Sequence, residues 1–342
     1  MSKKPKPKQP KTLSVVDKLK RRAEKLGVTM NLASEIDAKS EYVSTGSLLL
    51  NEAIGAPGYP CGKIIEIVGP ESSGKSLLTL IAEAVVTQQK KYCLHLDLER
   101  NHDKVDFQVW RKKLGVDLKF VIQPEFTTAE KLMQSSLETV KLLGDELKLI
   151  VVDSVSAFVP AVVDEKEVGK NTVAVEAKLL HRWFDKLRVD NNHAAVLCIN
   201  QLTSNISGYG NPVTKGGGWA MRFDPHLSLK VSGDPVYNAD SDESGTIGLD
   251  MTVTVAKNKI GAPKRVCHPR FRLALGGFDL VHEVVEMSVR KGVIRKNPPY
   301  YYIGDESFQG HERVVNRISE DSKLLRKLIT KLGYDPVQLG AV

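Results

Sequence analysis

Lys75 and Ser76 close the stretch Gly69-Pro70-Glu71-Ser72-Ser73-Gly74-Lys75-Ser76, which fits G-x-x-x-x-G-K-[ST]. Glycines at both ends let the backbone curl, so that successive N–H groups point at one phosphate. A helix starting there, with Leu77 in its first turn, adds the positive end of its dipole. The lysine reaches the β- and γ-phosphates and the hydroxyl holds Mg²⁺. Three more polar side chains end apolar runs: Glu99 after residues 91–98, Asp153 after 147–152, and Gln201 after 194–200. An acid after four apolar residues suits Mg²⁺, directly or through water. A second acid, Glu99, suits a base for an attacking water, and a terminal amide suits a sensor of the γ-phosphate. Glu99 also suits an N-cap or an ion pair, and Gln201 a plain strand terminus.

These groups act together only if a sheet brings them to one edge. Lys63–Val68 reads as a short buried strand and Leu77–Lys90 as the helix after it. Helices follow around Lys104–Leu114 and Thr128–Leu143, with a short strand at Phe120–Gln123 between them. Such alternation predicts an α/β fold with a mostly parallel twisted sheet, whose ligands lie outside the carboxyl ends of the strands. Upstream, Ser44–Ile54 reads as a short helix capped by Ser47 or Thr45, followed by a turn-rich loop to Pro60.

Downstream, Leu202–Gly218 holds Gly208, Gly210, Gly216, Gly217 and Gly218 with Tyr209, Lys215 and no acid. A long loop offering backbone amides and no negative charge can approach a polyanion closely. Arg222 follows. Residues 226–232 read as a strand, the acidic stretch 233–250 as a solvated loop, and Met251–Ala256 as an alternating strand. Residues 255–272 carry six basic residues and no acid, which makes a solvated hairpin or an anion-facing surface. From Phe278 the pattern becomes a small α+β domain: a helix at Val281–Lys291, an aromatic strand at 298–303, and a helix at Asn316–Leu332 with Leu324, Leu325, Leu328 and Leu332 on one face.

Charge is unevenly placed. Residues 1–25 hold ten Lys or Arg against two acids, which accounts for the whole formal charge of +8, so the remaining body is neutral. The high pI is therefore no argument for nucleic acid binding by the body. Residues 1–12 alternate lysine with proline, a composition that cannot bury enough apolar surface to fold; it reads as a disordered leader, either a solvated tail or an electrostatic arm. Residues 13–39 add an amphipathic helix, Ser14–Leu26, and a linker; the helix packs on its own core or on a neighbouring protomer. Neither a membrane-length apolar run nor a secretory signal pattern occurs, which points to a cytoplasmic protein. Cys61, Cys93, Cys198 and Cys267 lack metal-ligand spacing and read as buried thiols.

Together these motifs resemble the bacterial RecA recombinases and their phage relatives over residues 40–335. Ser44-Thr-Gly-Ser47 precedes the phosphate loop at the family spacing, and the Val151–Val155 and Ile199–Gln201 segments match. Asn211-Pro212 and Gly216–Gly218 are similar to the family's second DNA-binding loop. Most specific is Val255-Ala-Lys-Asn-Lys-Ile-Gly-Ala-Pro263. The resemblance implies a RecA-like P-loop ATPase core at 40–277 and a small C-terminal domain at 278–342. It implies ATP and Mg²⁺ as ligands, with Asp103 beside the adenine, Glu99 activating water and Gln201 coupling the γ-phosphate to the second loop. Lys257 and Lys259 would complete a neighbour's ATP site, with Arg222 at the same interface. DNA would meet loops at 161–170 and 202–218, through Lys178, Tyr209, Gly210, Asn211, Lys215, Gly216 and Gly217. The implied partners are single-stranded DNA, homologous duplex, further copies in a helical filament, and single-strand-binding and loader proteins.

The chain departs from the bacterial pattern at Arg100-Asn101-His102, in the first loop at Val162–Val168, and at Leu339–Val342, where bacterial members carry an acidic tail. These departures point to a phage-encoded or otherwise divergent member. The same core also serves ring-shaped motors, and the same filament also serves as a scaffold that coats single strands without exchanging them.

Overall fold

The computed structural model describes residues 14–32, 34, 40–99, 105–126, 128–157, 171–204, 213–215, 218–237 and 245–340. They fall into two compact units, 1–40 and 41–342. In the first, helix α1 (Val15–Glu24) begins at a capping box: Ser14 Oγ accepts from Asp17 N at 3.1 Å, and Asp17 accepts from Ser14 N at 3.2 Å. Of the apolar residues that gave the helix its period, Val15, Leu19 and Leu26 are exposed, Val16 is half-buried and Ala23 is buried. The leader at 1–12 lies outside the described residues.

The second unit opens with β1 (Tyr42–Val43), α2 (Leu48–Ile54) and β2 (Tyr59–Pro60). Ser47 is the α2 cap, accepting from Leu50 N at 3.1 Å, while Thr45 Oγ1 donates to Asn51 Oδ1 at 2.8 Å. Then come β3 (Ile64–Gly69), α3 (Lys75–Gln88), β4 (Tyr92–Asp97), α4 (Val105–Lys113), β5 (Val121–Ile122), α5 (Ala129–Leu143), β6 (Leu147–Asp153), α6 (Asn171–Asp190), β7 (Ala195–Ser204), β8 (Val213–Lys215) and α7 (Gly218–Phe223). The chain continues through β9 (Leu227–Tyr237), β10 (Thr246–Asn258), β11 (Val266–Cys267), β12 (Arg270–Arg272) and β13 (Gly277–Phe278) to α8 (Leu280–Arg290). It ends with β14 (Arg295–Asn297), β15 (Tyr300–Ile303), β16 (Glu306–Gln309), α9 (His311–Ser319) and α10 (Ser322–Lys331).

The central sheet has the order β13-β12-β10-β9-β3-β7-β6-β4-β5, with β11 paired to β10 and β8 to β7. From β9 to β5 the strands run parallel. All six residues of β3 are buried, as expected of a strand covered on both faces. One face packs α2, α3 and α8 through Leu48, Leu78, Ile81 and Val284. The other packs α5 and α6 through Leu132, Leu180, Trp183 and Phe184.

Three elements differ from the sequence expectations. Residues 233–237 and 246–250 are not loop: β9 and β10 pair from Tyr237↔Thr246 to Leu227↔Asn258, with irregularities at Ile247 and Ala256. The acids of this outer half, Asp234 and Asp250, are exposed, so they do not oppose strand pairing. Within the expected loop at 202–218, residues 202–204 and 213–215 form a hairpin base, because β7 runs on to Ser204 and pairs with β8. The single C-terminal helix is two, because Asp321 Oδ1 accepts from Leu324 N at 3.0 Å and restarts the helix. The aromatic strand β15 has two partners that the sequence pattern did not show, β14 and β16.

Candidate functional site

Register alone brings the polar strand ends together. In β3 and β7, Gly69 faces Gln201; in β4 and β6, Asp97 faces Asp153. Gly69, Gln201, Asp153 and Asp97 therefore stand along the carboxyl edge in the spatial order β3-β7-β6-β4. From β4 the chain crosses outward to β5 and from β6 it crosses the other way to β7, and such a switch point between β4 and β6 opens a crevice for ligands.

The phosphate loop Gly69–Ser76 rises from that edge into α3. A Cβ on Gly69 would sit 2.2 Å from the carbonyl oxygen of Val231, so the loop's tight entry onto β9 requires glycine. Gly74 caps α3 with φ 92°, and a Cβ there would meet Leu249 and Met251 at 2.8 Å. Lys75 Nζ folds back to the carbonyl oxygen of Pro70 at 2.5 Å. Burial pulls the Lys75 ammonium below its ordinary range, and the charges of Asp153, Glu71 and Glu99 offset part of that.

Ser76 Oγ lies 3.4 Å from Asp153 Oδ2. Burial, with the neighbouring charges of Glu99 and Asp97, pushes the Asp153 carboxyl up to about 7. A buried carboxylate beside a hydroxyl, crowded by two further acids, is a site that a divalent cation would relieve. The donors are hard oxygens, so the residues fit Mg²⁺.

Glu99 is anchored on β6. Its N–H donates to the Asp153 carbonyl at 3.2 Å, and Ser154 Oγ donates to Glu99 Oε1. Gln201 Nε2 donates to the same oxygen at 3.0 Å. Gln201 thus spans from the acid to the first rung of the β7–β8 hairpin, Leu202↔Lys215. Ser154, which follows the aspartate strand, was not singled out from sequence.

A cleft of about 480 Å³ adjoins the loop from Ser72 to Leu77. Its walls are apolar: Leu80 of α3, Phe107 and Trp110 of α4, and Leu249, Phe271 and Leu273. Sequence reasoning missed these. The signal available was a pair of aromatics three residues apart on the helix that follows Glu99. The cleft suits the flat apolar faces of a nucleobase, with its triphosphate on the loop.

The structure brings Lys75, Ser76, Asp153, Glu99 and Gln201 together, and sets the other candidates elsewhere. Lys257 pairs with Ser228, which is level with Glu66 on β3. At 3.3 Å per residue, it lies about 10 Å below Gly69, toward the amino edge of the parallel strands. There Lys257 Nζ donates to the carbonyl oxygens of Arg222 and Phe223 at 3.3 and 3.0 Å, closing the C-terminus of α7. Lys259 is exposed one step farther down, its N–H on the His226 carbonyl at 2.9 Å. Arg222 is exposed in the last turn of α7. Lys178 is exposed on α6. Asp103, Tyr209, Gly210, Asn211, Gly216, Gly217 and the loop at 161–170 lie outside the described residues; for Lys215 only its place in β8 is described. No described helix is long and apolar enough to cross a membrane. Residues 11–274 match the family model of the RecA N-terminal domain.

Proposed function

Because the chain belongs to the RecA family, we propose that it is an ATP-dependent DNA recombinase, which forms helical filaments on single-stranded DNA and pairs it with homologous duplex. The observation that carries this reading is the Glu99–Gln201 bond. It links a carboxylate suited to activating water with the strand that runs directly into the second loop. Such a link lets nucleotide state and loop state control each other.

Lys75 and the backbone N–H groups of Glu71–Leu77 hold the β- and γ-phosphates of ATP. Ser76 and Asp153 hold Mg²⁺, which when bound offsets phosphate charge. Glu99 accepts a proton from the water that attacks the γ-phosphorus; the P–O bond to ADP breaks, giving ADP and phosphate. Lys257 and Lys259 lie on the far edge of the sheet from their own phosphate loop, and this placement supports a role in trans on a neighbour's γ-phosphate. Helix α1, with its exposed Val15 and Leu19, supplies a further contact between copies. DNA lies against the loops at 161–170 and 202–218 with Lys178, and homology is read by base pairing. The departures at Arg100-Asn101-His102 and in the first loop at Val162–Val168 favour a phage-encoded member.

The test measures ATP turnover with and without single-stranded DNA, for the parent and for Lys257→Ala/Lys259→Ala mixed with Glu99→Gln. DNA stimulation in the parent and partial recovery on mixing are expected. Turnover indifferent to DNA, or no recovery, sinks the shared-site reading. Joint-molecule formation between a labelled single strand and a homologous duplex then separates a recombinase from a strand-coating scaffold.

A further inference from the structure

Arg111 is the largest fully buried side chain among the described residues, at 1% exposure, and no role above uses it. It reaches from α4 to α3 and to Gln123, just past the end of β5. Its Nε donates to Glu83 Oε2 at 3.0 Å and its Nη2 to Glu83 Oε1 at 3.2 Å, a two-pronged pair. Its Nη1 donates to Gln123 Oε1 at 3.1 Å. His95 Nδ1 meets Glu83 Oε1 from the other side, and both Glu83 and His95 are fully buried. Burial by itself would raise the Glu83 carboxyl; His95 and Arg111 more than offset this and hold it below its ordinary range.

The three side chains come from three elements that each serve the site. Glu83 is on α3, whose first turn carries Lys75 and Ser76. His95 is on β4, which leads to Glu99. Arg111 is on α4, whose Phe107 and Trp110 wall the cleft. Apolar side chains can fill such a space with no loss of stability, so burying a charge pair here calls for another reason. Apolar packing is tolerant of small rotations, whereas a guanidinium fork on a carboxylate is directional. The fork also grips the wall itself. Arg111 lies one turn after Phe107, with its Cζ 4.9 Å from the ring centroid, and the His95 ring meets Phe107 edge-on at 6.3 Å.

We infer that Arg111 is a positioning residue: its fork on Glu83 fixes α4 against the phosphate-loop helix and so sets the aromatic wall that receives the base of a nucleoside triphosphate. The inference rests on the nucleotide reading above. It assigns Arg111 to base and sugar affinity, and leaves the phosphate cradle and the chemistry to other residues.

Two variants test it: Arg111→Lys, which keeps the charge and loses the fork, and the apolar triple Glu83→Met/His95→Phe/Arg111→Met. Each is assayed for thermal melting, ATP turnover, and binding of ATP and of inorganic tripolyphosphate, which touches only the cradle. The expected result for folded variants is a KM for ATP raised by about tenfold, equal to about 1.4 kcal/mol, with kcat within about twofold. Tripolyphosphate affinity should stay at the parent value. An unchanged KM in either folded variant overturns the inference, and so does a parallel loss of ATP and tripolyphosphate. A parent that binds neither ligand refutes the nucleotide reading itself, and this inference with it.

Discussion

Replacing Gln201 with alanine should uncouple ATP from DNA while leaving each ligand its own site. Gln201 Nε2 gives one hydrogen bond, 3.0 Å long, to the carboxylate of Glu99, which also accepts from Ser154. A hydrogen bond to a charged group contributes about 1.5–3 kcal/mol net. If Gln201 leaves Glu99 for the γ-phosphate when ATP binds, the free energy that the swap can transmit is bounded by that bond. It corresponds to a factor of roughly 10 to 150 in affinity, the usual range for coupled sites. The adjoining rung, Leu202↔Lys215, carries any shift of Gln201 into the hairpin without an intervening joint. The assay is fluorescence anisotropy of a labelled single-stranded oligonucleotide, with and without a non-hydrolysable ATP analogue, at fixed protein concentration. The reciprocal titration measures the analogue with and without DNA. Linkage requires the two ratios to agree in the parent. Both ratios should fall to near one in Gln201→Ala, whose melting temperature should match the parent's within a few degrees. A variant that retains the parent ratio within about twofold would refute the claim that this bond carries the coupling.

Further outcomes follow from other contacts. Glu99→Gln should lower turnover by about 10²- to 10⁴-fold, the usual contribution of a general base, with nucleotide affinity little changed; phosphate release and equilibrium binding check the two separately. Glu283, on α8, accepts from Ser47 Oγ at 2.7 Å and Leu48 N at 2.6 Å, and burial pushes its carboxyl up to about 7. The folded chain therefore keeps a proton that the unfolded chain releases above its ordinary 4.5, so stability should fall as pH rises from 4.5 to 7 and then level off. At roughly 1.36 kcal/mol per pH unit, this group's share of the fall amounts to about 3 kcal/mol, and Glu283→Gln should remove that share while leaving the one from Asp153; equal pH slopes for parent and variant in denaturant melts would contradict this. Single-strand affinity should fall linearly with log salt, and Lys178→Ala should make the slope shallower by about 0.7, as binding isotherms at several salt concentrations would show.

Much of the fold was legible because it rests on short-range pattern. Apolar runs of six or seven residues bounded by polar ends marked β3, β4, β6 and β7, and their parallel pairing follows from the helices between them. What did not show was pairing with little burial behind it. The outer halves of β9 and β10 carry Asp234 and Asp250 on exposed faces, so their alternation is chemically silent. The break at Asp321 was hidden because the leucine period runs through it, and a single capping carboxylate decides against that period.

The sequence by itself determined which chemical groups this protein commits to phosphate: the loop at 69–76, a hydroxyl, two acids and an amide, each at the end of an apolar run. Only the tertiary structure decided their company. It set Gln201 on Glu99 because β7 lies between β3 and β6, an order that no local pattern specifies. It put Lys257 and Lys259 on the opposite edge, because β10 runs antiparallel to β9 and its C-terminal end meets the amino end of β3. It also joined Glu83, His95 and Arg111, separated along the chain by 12 and 16 residues, behind a cleft wall whose one sign in the sequence was the aromatic pair Phe107 and Trp110. Register and strand order are long-range properties, fixed by which buried surfaces fit together, and they decide which residues share a site.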